Sequence, residues 1–239
     1  MKPVIRFAKI FWLAFWASAM TLAIFIPMTL AAVLSSTGNL AFSISKIWAR
    51  VMLLASFSRV DISGKEKIGK GRSYIIISNH QSHYDILALV TSLGVQFRWI
   101  IKKELLKAPL FGYALYAARN IFIDRRNTES ARDSIRKGLE RLPRGASVMF
   151  FAEGTRSADG RLGDFKKGGF AVALENGFPI LPVTVNGSRK VLPKGGLEFH
   201  PGRICVTVGD PIETAGRDHS AIPALIAETR RAIQSNLSA

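Results

Sequence analysis

The segment Tyr74-Ile75-Ile76-Ile77-Ser78-Asn79-His80-Gln81-Ser82-His83-Tyr84-Asp85-Ile86-Leu87-Ala88-Leu89-Val90 joins two apolar runs through a polar hinge. The first run is short and β-branched, which predicts a buried strand; the second is longer and predicts a helix. A histidine and an aspartate therefore stand where a strand ends and a helix begins, the place where open α/β sheets take their ligands. Two readings of that pair stay open. Ser82 followed by Asp85 resembles a capping box, with Asp in the position that Glu or Gln usually fills. Alternatively, Asp85 holds one imidazole nitrogen of His80 while the other accepts a proton from a hydroxyl. The two are compatible.

Outward from this segment the same alternation continues. Strands are predicted at residues 60–62, 74–78, 97–101, 120–123, 147–151, 180–185 and 204–208. Helices are predicted at 85–93, 128–142, 170–176 and 222–237. Pro143 stops the second of these, and Gly177 with Pro179 stops the third. Such alternation predicts an α/β fold with a mixed, mostly parallel sheet flanked by helices.

The N-terminal part differs. Lys2, Arg6 and Lys9 precede a stretch, residues 10–45, that carries no charge, and residues 10–34 alone are long enough to cross a bilayer. Basic residues lie on both flanks, with Lys46, Arg50 and Arg59 on the far side, and a single span cannot keep both flanks in the cytoplasm. A helical hairpin embedded in one leaflet is therefore expected, broken at Pro27, with residues 47–57 returning along the interface, and a true spanning helix is the alternative. The expected division is a membrane-anchoring segment, 1–59, followed by an α/β domain, 60–239.

The 239 residues carry a formal net charge of +16, which favours anionic partners. An anionic membrane is expected among them; nucleic acid is not, since no recognised binding motif accompanies the charge. The single cysteine, Cys205, excludes an intramolecular disulfide and a cysteine-based zinc site. His80 and His83 could share a metal with Asp85, but no further ligand cluster accompanies them, and no metal is expected. Lys102, Lys103 and Lys107 read as a basic face toward anionic lipid, and Lys166 and Lys167 as a solvated or phosphate-binding pair.

Three further clusters follow strand-like runs: Ile121-Phe122-Ile123-Asp124-Arg125-Arg126, Val148-Met149-Phe150-Phe151-Ala152-Glu153-Gly154-Thr155-Arg156-Ser157, and Ile180-Leu181-Pro182-Val183-Thr184-Val185-Asn186-Gly187. If these strands are neighbours, Arg125, Arg156 and the Gly154 backbone converge near His80. Two guanidiniums suit a dianionic phosphate, which Arg binds bidentately. With His80-x4-Asp85, these blocks resemble the glycerolipid acyltransferase family, whose best-known members are the 1-acyl-sn-glycerol-3-phosphate acyltransferases. The resemblance covers residues 75–187.

It implies acyl transfer from a thioester, acyl-CoA or acyl carrier protein, to the sn-2 hydroxyl of lysophosphatidic acid, with another lysophospholipid or a lyso-ornithine lipid as the alternative acceptor. A non-catalytic basic membrane protein is the rival outside the class. His80 would be the general base and Asp85 its orienting partner. Arg125, Glu153, Gly154, Thr155 and Arg156 would bind the acceptor, with both arginines on its phosphate, and Pro182 would belong to the acyl-donor side. No cofactor is implied beyond the acyl donor as co-substrate, and the α/β domain would lie on the cytoplasmic face, of the inner membrane in a bacterium. One departure stands out: the family commonly has Pro where this chain has Ala152, which is expected to leave that loop's backbone less fixed.

Overall fold

The computed structural model describes residues 2–238. A seven-stranded sheet forms the centre: β1 (Arg59–Ser63), β2 (Ile75–Ser78), β3 (Phe97–Lys102), β4 (Ile121–Ile123), β5 (Ser147–Phe151), β6 (Ile180–Asn186) and β7 (Arg203–Val208). Their spatial order is β1-β7-β6-β2-β5-β3-β4. Every pairing is parallel except β6 with β7. All seven strands fall where the apolar runs predict them.

β2 is central. It pairs with β5 on one side, Ile77 opposite Phe150, and with β6 on the other, Ile77 opposite Pro182. The chain leaves β2 toward β3 and returns through β5 to β6 on the opposite side, so β2 marks the switch in strand order. A crevice opens at its carboxyl end for that topological reason.

Side chains alternate across the sheet with the period of two that strands impose. Ile76 joins the larger core, with Phe97, Trp99, Met149 and Val183; Ile75 and Ile77 join the second, with Val148, Phe170 and Leu225. α3 (Tyr84–Ser92) covers the first face. α5 (Thr128–Glu140), α6 (Gly168–Asn176) and α8 (Ile222–Gln234) supply residues to the second core. A one-turn helix, α7 (Ser188–Val191), follows β6, and a short helix, α4 (Phe111–Ala117), precedes β4.

The N-terminal segment corrects two expectations. α1 (Lys2–Leu34) runs unbroken through Pro27, and the chain reverses at residues 35–38. Proline removes one bond to the preceding turn and crowds the carbonyl four residues back, and α1 continues past it on the bonds of its other residues. Left-handed Gly38 makes the reversal, at φ 73°. A Cβ there would meet the backbone of Ala118 at 2.9 Å, so the turn is seated against the end of α4.

The second helix, α2 (Asn39–Ala55), begins well before residue 47. It runs antiparallel along α1, as bonds from Trp48 Nε1 to Thr21 Oγ1 (3.2 Å) and from Trp12 Nε1 to the Ala55 carbonyl (2.8 Å) show. The expected boundary at residue 60 marks where the sheet begins, not where the core begins. Phe42, Ala49, Met52 and Leu53 of α2 are buried in the larger core beside α3.

Arg98 fastens the hairpin to the sheet. It is 1% exposed, and its guanidinium donates to the carbonyls of Phe97 (2.9 Å) and Thr37 (2.8 Å) and to Asn39 Oδ1 (2.5 Å). Burial pulls its pKa down to about 10.

Candidate active site

Asp85 lies in the first turn of α3, is completely buried, and serves cap and dyad with one oxygen. Oδ2 accepts from the backbone N–H groups of Gln81 (2.6 Å) and Ser82 (2.8 Å) and lies 2.7 Å from His80 Nδ1. Ser82 Oγ completes the cap by accepting from Tyr84 N at 3.1 Å. An oxygen already accepting from two N–H groups faces the ring as an acceptor too, so Nδ1 is the donor, and in the neutral ring the lone pair is then on Nε2. The two readings of the opening segment are therefore one structure.

The imidazole is held in its plane as well. Phe151, the last residue of β5, stacks on His80 with centroids 3.6 Å apart and planes at 6°. Trp99 of β3 stacks on Phe151 in turn, at 5.4 Å. Asn79 fixes the strand end: its amide donates to the Val185 carbonyl and accepts from Val185 N, both at 2.8 Å. A short side chain carrying both a donor and an acceptor is what this continuation of the β2–β6 ladder needs.

The 152–157 loop encloses the His80 peptide. Ala152 N donates to the Ser78 carbonyl, and Ser157 N to the His80 carbonyl, each at 2.8 Å. The expectation for Ala152 is thereby reversed. Its N–H fixes the loop with a bond that proline could not make, and its carbonyl accepts from Lys166 N at 2.7 Å. Gly154 follows at φ 70°, in the left-handed region that favours glycine. Thr155 is exposed and Arg156 partly so. Glu153 is 7% exposed, with its carboxylate turned inward rather than toward the crevice.

Arg125 follows β4, which β3 and β5 separate from β2. The strands bearing the four blocks are thus not all neighbours, and the long side chain makes up the distance: Arg125 Nη1 donates to the Gly154 carbonyl at 2.9 Å. Arg156 stands near His83, whose pKa is lowered by partial burial first and then by Arg156 and His80. Pro182 is buried within β6 opposite Ile77, inside the sheet and not on the crevice wall. Asn186, at the end of that block, binds the C-terminal segment through the Asn236 carbonyl and Ser238 N. Lys102 and Lys103 pair with Glu104 and Asp124.

Behind the dyad lies a partly open apolar pocket of about 100 Å³ between α1, α2, α3 and α4, lined by Met28, Phe42, Trp48, Ile86, Leu87 and Trp99 among others. Thr21, Trp48 and Phe111 also border an open groove along α1. The rings of Trp99 and Phe151 stand between the cavity and His80.

Residues 59–186 match the sequence model of a family described as Acyltransferase. The chain belongs to the acyltransferase family. Among its relatives is the chloroplastic 1-acyl-sn-glycerol-3-phosphate acyltransferase of Arabidopsis thaliana, 38% identical over 178 residues, 73% of this chain and 49% of that protein. The 1-acyl-sn-glycerol-3-phosphate acyltransferase of Pseudomonas aeruginosa is 36% identical over 168 residues, 70% of this chain and 64% of that one. This chain thus spans between about half and just under two thirds of those relatives' lengths. The crystal structure of the 1-acyl-sn-glycerophosphate acyltransferase PlsC from Thermotoga maritima superposes with a TM-score of 0.82 at 25% identity, over 98% of this chain and 97% of that one. The acyltransferase fold therefore extends through the helical hairpin.

Sequence reasoning missed Phe151 as the plate beneath the imidazole and Asn79 as the strand-end clasp. Both stood in quoted blocks; the signal was position, since each sits at the last residue of a strand or one beyond it.

Proposed function

We propose that this protein transfers a fatty acyl chain from a thioester, of coenzyme A or acyl carrier protein, to the sn-2 hydroxyl of lysophosphatidic acid, forming phosphatidic acid. The observation that carries the reading is His80 Nδ1 held 2.7 Å from Asp85 Oδ2, beside a loop that presents Arg156 and binds Arg125. Nε2 takes the proton of the acceptor hydroxyl as its oxygen attacks the thioester carbonyl, and Asp85 stabilises the imidazolium that forms. The tetrahedral intermediate collapses with cleavage of the C–S bond, and the imidazolium gives its proton to the departing thiolate, which restores neutral His80. Only this chain's own groups and the two substrates are used. Arg125 and Arg156 fit a phosphate monoester because two guanidiniums balance its dianion. The relatives' names, which specify 1-acyl-sn-glycerol-3-phosphate, support the same acceptor.

The hairpin would lie along the membrane interface in one leaflet. Val4, Phe7, Phe11, Phe15, Leu22, Ile26, Leu30 and Val33 form an exposed apolar stripe on α1, and Leu40, Ile47 and Leu54 a second on α2. α1 is long and apolar enough to cross a membrane. However, contacts along it, from Lys9 with Glu198 to Met28 with the Ala117–Ala118 cluster, tie it to the folded body. A perpendicular span would drag those partners into hydrocarbon. We place the α/β part on the cytoplasmic face because of the flanking lysines and arginines.

The test is purified protein supplied with an acyl thioester and a panel of lysolipids. Turnover should be fastest with lysophosphatidic acid and at least tenfold slower with lysophosphatidylcholine, whose phosphate carries a single charge and a bulky cap. No turnover of lysophosphatidic acid would sink the reading.

A further inference from the structure

The resemblance puts Glu153 among the acceptor-binding residues, yet the carboxylate does not face that site. Oε1 accepts from His80 N at 3.3 Å, and Oε2 from Gly163 N at 3.0 Å. The same loop binds the other side of the His80 peptide, through Ser157 N on the His80 carbonyl. One carboxylate thus joins the end of β2 to the far end of the 157–163 loop, and Arg156 lies in sequence between Glu153 and Gly163. A carboxylate turned toward the crevice would repel a phosphate dianion. Turned inward, it pairs with neither arginine, and Arg125 places Nη1 on the Gly154 carbonyl instead.

Two neighbours sharpen this geometry. Gly163 sits close against the Glu153 carboxylate: a Cβ there would stand 3.1 Å from Oε2, so the carboxylate would have to give by a few tenths of an ångström. Arg230 of α8 holds the same loop from outside, with Nη1 on the Gly163 carbonyl at 2.6 Å and Nη2 on the Leu162 carbonyl at 3.0 Å. The loop is thereby clamped at Gly163 from both sides.

We infer that Glu153 is a positioning residue: its carboxylate fixes the His80 peptide and the 157–163 loop in one step, and it makes no contact with the acceptor. The inference rests on the acyl-transfer reading for its kinetic arm only. Glu153→Gln is nearly the same shape but presents an NH2 group to one of the two N–H donors. It should lower kcat at least tenfold and leave the KM for the acceptor within threefold. Gly163→Ala pushes the carboxylate from the other side without altering its charge. It should act in the same direction, and the double variant should be no worse than the worse single, as residues acting through one contact are non-additive.

Two further readouts separate positioning from a general loss of fold. In folded Glu153→Gln, amide exchange should quicken at His80 and Gly163 while Ile76 and Ile77 stay protected. The Nδ1 proton resonance of His80, identified by its loss in His80→Ala, should also move. An acceptor KM raised tenfold with kcat retained would overturn the inference in favour of acceptor contact. Wild-type kinetics in Glu153→Gln, or unchanged exchange at His80 and Gly163, would overturn it outright. If the wild-type protein acylates no lysolipid, the acyl-transfer reading fails, and amide exchange still decides whether Glu153 braces the loop.

Discussion

Asp85 Oδ2 accepts three hydrogen bonds, one from the imidazole and two from the backbone, so the helix cap and the aim of His80 depend on the same atom. The Asp that is short for a capping box is short because the carboxylate must also meet His80. Ala152 offers a second lesson at this scale. Its N–H bond to the buried Ser78 links β5 to β2 just before the loop. Ala152→Pro would stiffen the unfolded chain, a gain of about 0.4–1 kcal/mol. It would also leave the Ser78 carbonyl without its donor, a cost of about 1–3 kcal/mol. The second effect is the larger, so the variant should be less stable by about 1 kcal/mol, read as a lowered thermal midpoint. A midpoint equal to or above that of the wild type would show that the N–H bond contributes little.

Among the elements, the hairpin is held by a charged group with no carboxylate partner among its contacts. Arg98 places Nη1 on the Phe97 carbonyl and the Gln96 amide oxygen and Nη2 on the Thr37 carbonyl and the Asn39 amide oxygen, while its buried Nε has no partner among the described residues. Arg98→Met removes the donors while keeping the apolar stem, and should cost on the order of 2 kcal/mol, measured by denaturant unfolding. Arg98→Lys should recover only part of this, because a compact ammonium cannot span the guanidinium's fork. Full recovery would mean that charge rather than geometry matters.

The seven strands were legible because β-branched runs with turn residues at their ends leave few other choices. Their order was not, because parallel neighbours are chosen by packing across the sheet. That is why Arg125 turned out to follow an edge strand. The unbroken passage through Pro27 and the early start of α2 at Asn39 were hidden for a related reason: only burial against α3 decides where an apolar stretch turns. His80, Asp85, Arg125 and Arg156 could be singled out as candidates from their strand-end placement and the family resemblance. The inward turn of Glu153 could not, since a loop side chain takes its direction from partners distant in sequence, here Gly163.

For the whole molecule, the exposed apolar stripes of α1 and α2 and the basic strand ends fit the proposed place of work, where lipid meets water. Ser36, exposed at the hairpin turn, distinguishes the two ways of meeting it. In a protein whose Cys205 has been replaced by Ser, Ser36→Cys should react with an impermeant maleimide only after cells are opened. Labelling on intact cells would place the turn on the opposite face and establish a span. The account as a whole rests on a histidine base serving a phosphate-bearing acceptor. The measurement that tests it most directly is the rate at which purified wild-type protein and His80→Ala convert lysophosphatidic acid and an acyl thioester to phosphatidic acid. The account predicts a loss of at least about 10²–10⁴-fold, the usual contribution of a positioned general base, with the thermal midpoint retained; equal rates in the two proteins would contradict it.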